Sequence, residues 1–386
     1  MSDTTLPANG VYRDPKRWAW WFSLLVPFFV GLGPLLMQWN QQAYMLWWPF
    51  VFLYVFVPLF DAWWGEDRSN PPEWAVPQLE ADPFYRYLTY ALVPVLWGSF
   101  VFAAWFVASR ELPWHAQLAM VLNAGIVGGF AINLGHELGH KHNRLEKTLA
   151  LLALVPSGYG HFTAEHNRGH HTEVATPEDT ASARMGESIW RFVLREMPGG
   201  ARRAWLFESQ RLQDKGLSTW SLRNQILQGL CLTSLLWLAL VLCLGLAVLP
   251  FLVAVAAWTN FQLTSANYVE HYGLLRVKQS DGFYERCQPC HSWNSNHVLS
   301  NWILFHLQRH ADHHAHASRR YQALRHFEDA PQLPNGYSGM FLLAYVPALW
   351  FAVMNPRLLD AVGHDPNRIN FDPAQRDALC KRYQLT

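Results

Sequence analysis

Long apolar runs alternate with polar stretches along this chain, and the runs come in pairs. A helix that crosses a hydrocarbon core of ~30 Å needs about 20 mostly apolar residues. Residues 18–38 and 44–60 meet that need, with a short polar turn at 39–42 between them. Residues 87–108 and 114–134 form a second pair around the turn 109–113, and 227–248 and 251–265 a third around Leu249 and Pro250. The pattern predicts an all-α integral membrane protein with six transmembrane helices arranged as three hairpins. Both termini then lie on one side. The proline- and acid-rich stretch 66–83 is expected to be a loop between the second and third spans. Residues 149–159 and 339–354 are apolar but short or broken by proline, so they are expected as helices on the membrane or packed beneath a site.

Composition agrees with a membrane protein. Twenty tryptophans and 51% hydrophobic residues in 386 exceed what a soluble domain usually holds. A formal net charge of +1, with no Lys/Arg stripe, excludes an electrostatic footprint for nucleic acid. Five scattered cysteines do not make a disulfide framework. Cys287-Gln288-Pro289-Cys290-His291 has the spacing of a haem attachment site or of half a zinc site, but no second pair completes the latter. The polar tail from residue 355 lacks paired Cys-x-x-Cys units, so no iron–sulfur module is expected. Residues 1–17 are polar and the following apolar run is too long for a signal-peptide core, so no cleavable signal is expected.

Charge sets the expected orientation. The three hairpin tips together hold one Arg and no Lys, whereas Arg13, Lys16, Arg17, Arg68, Arg86 and many later cations lie on the other face. The positive-inside bias then puts both termini in the cytoplasm. Trp18, Trp20, Trp21, Trp47, Trp48, Trp63 and Trp64 fall at or near span ends, as an interfacial aromatic belt would.

The chemistry is in the histidines. Nine of the eighteen fall into four clusters: His136 and His140; His166, His170 and His171; His271; and His310, His313 and His314. One metal takes about three to six ligands, so nine clustered imidazoles suggest two. Spacings of i, i+3 and i+4 place ligands on one helical face, as a preformed site requires. The clusters sit beyond the cytoplasmic ends of spans, on a cap formed by 136–226 and 266–386.

Other readings compete. His136-Glu137-Leu138-Gly139-His140 is also the zinc-protease motif, but such a site needs one further protein ligand and leaves most of the other clusters idle. A metal transporter would place ligands within spans near the midplane, and the only histidine inside a span is His115, at its edge. Two metals facing an apolar bundle suggest oxygen chemistry on a lipid-like substrate, while imidazole alone does not choose among Zn, Cu, Fe and Ni.

Three segments resemble the histidine boxes of integral-membrane di-iron oxygenases and desaturases: His136–Lys141, Glu165–His171 and Leu307–His314. Asn267-Tyr268-Val269-Glu270-His271-Tyr272-Gly273 is similar to the box that marks the alkane 1-monooxygenase branch, and His291-Ser292-Trp293-Asn294-Ser295-Asn296-His297 also looks like that branch. The resemblance runs to about residue 355 and spans a single membrane-embedded catalytic unit, 1–386. Cys287 and Cys290 are a departure. Xylene monooxygenase is the nearest relative within the branch.

The resemblance implies two non-haem irons, with neither haem nor flavin, that use O2 to hydroxylate the terminal carbon of a medium-chain n-alkane in a bacterial inner membrane. It implies rubredoxin, fed by rubredoxin reductase, as electron donor, and the nine box histidines as iron ligands. Fatty-acyl desaturation and aryl-methyl oxidation are the related alternatives. Glu137, Glu270 and Asp312, together with Glu165, adjoin ligands and are candidates to support them, as ligating histidines usually pass their second N–H to a carboxylate. His142, His161, His291, His297, His306 and His316 are expected as hydrogen-bonding neighbours, with His306 the candidate spare ligand. An alkane offers nothing to grip, so an apolar tunnel must position it. Gly129, Ile132 and Asn133, and Leu263, Thr264 and Asn267, share helix faces with His136 and His271 and are expected to line its inner end, or else to pack helices. Arg202, Arg203, Lys215, Arg319, Arg320 and Arg325 are candidate contacts for an acidic donor.

Overall fold

The computed structural model describes residues 10–385. The expectation about the polar start therefore falls partly outside the described residues, as does Thr386. Six helices are long and apolar enough to span a membrane: α1 Trp21–Asn40, α2 Ala43–Trp64, α3 Pro83–Ala108, α4 Trp114–Gly139, and two later ones. Between α4 and these lie α5 (Arg144–Leu154) and the amphipathic α6 (Ile189–Gln213). The third hairpin is α7 (Gln225–Leu244) and α8 (Leu246–His271). Helices α9 (Val298–Ile303), α10 (His310–Ala315), α11 (Tyr337–Ala344) and α12 (Pro347–Ala361) follow. Among the described residues only isolated bridges occur, and no strand.

The six spans stand where the hydropathy placed them, but α2, α3, α4 and α8 are longer, and the extensions of α4 and α8 reach the histidines. α4 runs on to Gly139 and α8 from Leu246 to His271, since no proline interrupts either polar end. Pro250 sits in the first turn of α8, where its missing N–H breaks no helical bond. His136 and His271 are thus carried on the spans themselves. The stretch 66–83 is not wholly loop, because Val76–Ala81 forms a short helix that buries Val76 and Leu79. Residues 339–354 do not form one element: α11 and α12 meet at 119°. Their Tyr337, Met340, Trp350 and Met354 pack with Tyr268, Tyr272 and Trp293 in an apolar cluster beside the site.

Polar contacts fix the bundle where lipid offers none. Asn123 Nδ2 donates to the Leu46 carbonyl at 2.8 Å, Thr259 Oγ1 to that of Gly125 at 3.2 Å, and Tyr54 to Gln262. Such bonds contribute about 0.6 kcal/mol each in membranes. Only glycine fits at position 128, where a Cβ would come within 2.1 Å of Thr259 Oγ1, so α4 and α8 approach closely. Asp61 of α2 is buried and accepts the N–H groups of Leu299 and Ser300, both at 3.1 Å, capping the start of α9. Trp18, Trp21, Trp48, Trp63 and Trp64 are exposed near span ends. Trp20 is not part of that belt: it is fully buried, edge-on to His306 and Tyr321.

Candidate metal centre

The nine clustered histidines converge into two groups. His136, His140, His166, His171 and His313 form one, and His170, His271, His310 and His314 the other, with the candidate ligand atoms within 4.8 Å of one another in each. Chain order does not give this partition. His166–His170 is a π-turn, whose wider pitch brings His166 alongside His171, five positions on, and sends His170 to the other group. On α10, His310 and His314 share a group at i, i+4 while His313 crosses to the first. Phe305 and His306, both with left-handed φ (55° and 51°), turn the chain between α9 and α10.

The nitrogens fit cations. Nε2 of His313 lies 2.8 Å from Nε2 of His136 and 3.0 Å from that of His171. In the second group, Nε2 of His310 lies 3.1 Å from that of His271 and 2.9 Å from that of His314. A neutral imidazole has one N–H, so rings converging this way leave lone pairs facing one another. Two nitrogens bound at right angles to one metal, at about 2.1 Å each, stand about 3.0 Å apart. Nε2 of His140 and of His170 are buried without any hydrogen-bond partner. Burial pushes His140, His166, His171, His310, His313 and His314 well below the usual imidazole range, which keeps them in the neutral, ligating form.

Two rings of the second group, His170 and His271, have partners behind them. His170 Nδ1 is 2.9 Å from Asp179 Oδ2, leaving Nε2 as the free lone pair. Burial would raise the Asp179 carboxyl, but His170, Ser182 Oγ at 2.6 Å and the Ala181 N–H outweigh it and hold it low. His271 Nδ1 donates to the His291 carbonyl at 3.2 Å. Glu270 Oε2 stands 3.4 Å from His310 Nε2, and its Oε1 accepts from Tyr337 Oη at 2.8 Å. Asp179 escaped the sequence reading: it lies nine residues after His170 in a stretch that also holds Glu173 and Glu178, and no periodicity distinguishes it.

An apolar cavity of about 110 Å³, far more than one water needs, runs from the bundle to both groups. Val26, Leu53 and Val57 line its far end, Ile126, Gly129, Phe130, Ile132 and Asn133 its flank, and His136, His166, His310 and Glu270 its inner end. Leu263, Ala266 and Asn267 of α8 and Ser300 and Ile303 of α9 also belong to the wall. Gly129 also serves packing, since a Cβ there would meet Gln262 at 2.8 Å. Thr264 alone of the six expected tunnel residues is absent from the wall, because its hydroxyl turns the other way to Glu196.

The profile of the fatty acid desaturase family matches residues 112–344, the stretch that holds every histidine cluster. The chain is 48% identical to alkane 1-monooxygenase 1 of Alcanivorax borkumensis, over 96% of this chain and 91% of that protein. It is 47% identical to the alkane 1-monooxygenase of Ectopseudomonas oleovorans, over 96% and 93%. The chain belongs to the alkane 1-monooxygenase family. The xylene/toluene monooxygenase hydroxylase component of Pseudomonas putida is more distant, at 28% over 73% of this chain and 76% of that protein. A protein of the alkane 1-monooxygenase family is a membrane oxidoreductase, and the histidine groups with the desaturase-type match imply non-haem iron.

In this member of the alkane 1-monooxygenase family, several singled-out residues support the site from a distance. Glu137 pairs with Lys141 at 3.0 Å and accepts the Tyr321 N–H, without touching an imidazole of either group. Asp312 accepts Arg319 twice at 2.8 Å and the Arg325 N–H, bracing the loop after α10. Glu165, pushed up to about 7 by burial and then by Asp179, pairs with Arg203 at 3.0 Å. His306 joins neither group; its ring packs on Trp20, away from the nine. His297 contacts Ser295 Oγ, His316 contacts Asp312, and His291 reaches His271 through its carbonyl.

Proposed function

We propose that this chain hydroxylates the terminal carbon of medium-chain n-alkanes with O2, at two irons held by the nine grouped histidines. The observation that carries this reading is the apolar cavity whose inner end is formed by histidines of both groups. A substrate without polar groups is placed by shape and burial alone, and an apolar cavity ending at the histidine groups presents one terminal methyl there. Bound iron supplies the activation of O2. The chain itself holds His140, His166, His171, His310, His313 and His314 neutral by burial, excludes water with the Leu, Ile and Phe wall, and orients His170 and His271 through Asp179 and the His291 carbonyl. Glu270 closes the inner end, its carboxylate fixed by Tyr337.

The electron donor in this reading is rubredoxin with its reductase, and the site faces the cytoplasm of a bacterial inner membrane. Of the six cations expected to greet the donor, Arg203, Arg319, Arg320 and Arg325 are taken by Glu173, Asp312, Glu146 and Glu73. Arg202 and Lys215 are exposed and remain the candidates for docking. Reporter fusions at residues 41 and 111 should read periplasmic and at 75 cytoplasmic. The deciding experiment is metal analysis together with product identification from octane, O2 and reduced rubredoxin. About two irons per chain and 1-octanol are expected; turnover confined to xylene, or an olefin from an acyl substrate, would replace the reading.

A further inference from the structure

Hydroxylation by this reading, RH + O2 + 2e⁻ + 2H⁺ → ROH + H2O, consumes two protons, and an apolar cavity does not conduct them. A second, smaller cavity lies against the first. Phe162, His166, Leu263 and Asn267 belong to both walls, while His161, Glu165 and Glu196 belong to the second only. Its volume of about 10 Å³ is close to the room one water needs.

Glu196 projects from α6 and is buried. Thr264 Oγ1 donates to its Oε2 at 2.7 Å and Asn267 Nδ2 to its Oε1 at 3.0 Å. Burial raises its carboxyl above the usual range against those two donors and the Arg195 charge, with Asp179 adding to the rise. His161 reaches the surface on one side, yet its Nε2 is buried with no hydrogen-bond partner. Burial holds its imidazole down to about 4, so the ring is neutral.

We propose that Glu196 is a proton-relay residue, drawing protons from the surface through His161 and a water in the second cavity and passing them beside Asn267 into the substrate cavity. The idea rests on the hydroxylase reading above. In each passage the carboxyl gives its O–H proton to water on the Asn267 side and takes another from the water on the His161 side, so Glu196 is unchanged after two passages per turnover. The electrons arrive separately from the donor protein. Thr264 and Asn267 hold both oxygens in place while the charge comes and goes, which accounts for Thr264 facing away from the tunnel.

The test has two arms. In iron-loaded enzyme, Glu196→Gln should cut turnover about 100-fold, enlarge the solvent isotope effect and lower product formed per O2 consumed, with Glu196→Asp recovering part of each. In metal-free protein, infrared spectra in H2O and D2O should show an exchangeable protonated-carboxyl band that Glu196→Gln removes and whose exchange His161→Phe slows. Turnover and isotope effect at wild-type values in iron-replete Glu196→Gln would overturn the relay. So would a missing band, or exchange untouched by His161→Phe, and these hold even if Glu196→Gln loses iron. Absence of 1-octanol from wild type would instead overturn the hydroxylase reading, with the infrared arm still deciding whether the relay exists.

Discussion

The two histidine groups differ in what stands behind them. Among the described residues, no carboxylate lies within ion-pair distance of the five rings of the first group, which contact one another. In the second, His170 leans on Asp179 and His271 on the His291 carbonyl, each through Nδ1, while Glu270 faces the converging Nε2 of His310. A carboxylate behind an imidazole raises its basicity and fixes its ring. The first group therefore offers more donors and the second better-oriented ones, so the two are not equivalent despite sharing α10 and the π-turn.

Ligand deletion should break the comparison most sharply. Each of the nine His→Ala changes is expected to abolish turnover, but His271→Ala leaves three donors in its group whereas His140→Ala leaves four. Iron measured per chain should fall further in the first; full activity of His271→Ala would refute the family's distinguishing box as a ligand. Next in size is Asp179→Asn, which keeps the volume but removes the charged acceptor from His170. A loss of 10–100-fold in iron affinity or activity is expected, confined to the second group in a chelator competition; equal loosening of both metals would erase the asymmetry. Tyr337→Phe releases one hydrogen bond to Glu270 and should cost about 1–3 kcal/mol at that buried acceptor. A small fall in turnover with both irons kept is the expected result. Smallest for the metals is Asp312→Asn. Asp312 braces Arg319 and Arg325 rather than a ring, so a lower unfolding temperature with unchanged iron is expected; iron loss equal to that of Asp179→Asn would make it a ligand support after all.

The spans and the histidine clusters were legible because each is a local pattern. An apolar run predicts its own helix, and i, i+4 spacing announces itself within five residues. What was hidden depends on geometry that no local window carries. The π-turn at His166–His170 sends neighbouring imidazoles to different groups, which an ideal α-helical reading of the same residues pairs wrongly. Asp179 and Glu196 sit among other acids of similar spacing, and only tertiary packing selects them. Thr264 is the instructive miss, since its α8 neighbours Leu263 and Asn267 line the cavity while its own hydroxyl turns to Glu196. His306 lost its expected role to a backbone reversal at 305–306 that points its ring into the Trp20 cluster.

Asp61 ties a lipid-facing helix to the chemistry. By capping α9 it makes the short helix that supplies Ser300 and Ile303 to the cavity, and that leads toward α10, a rigid extension of α2. Spans respond to a bilayer of the wrong thickness by tilting, at fractions of a kcal/mol per Å of mismatch. A tilt of α2 is then a displacement of the cavity wall beneath the metals, so the lipid works as a mechanical input. Turnover in nanodiscs of graded acyl length should follow the thickness, and Asp61→Ala should weaken that dependence, leaving the part carried by Leu53 and Val57 of α2.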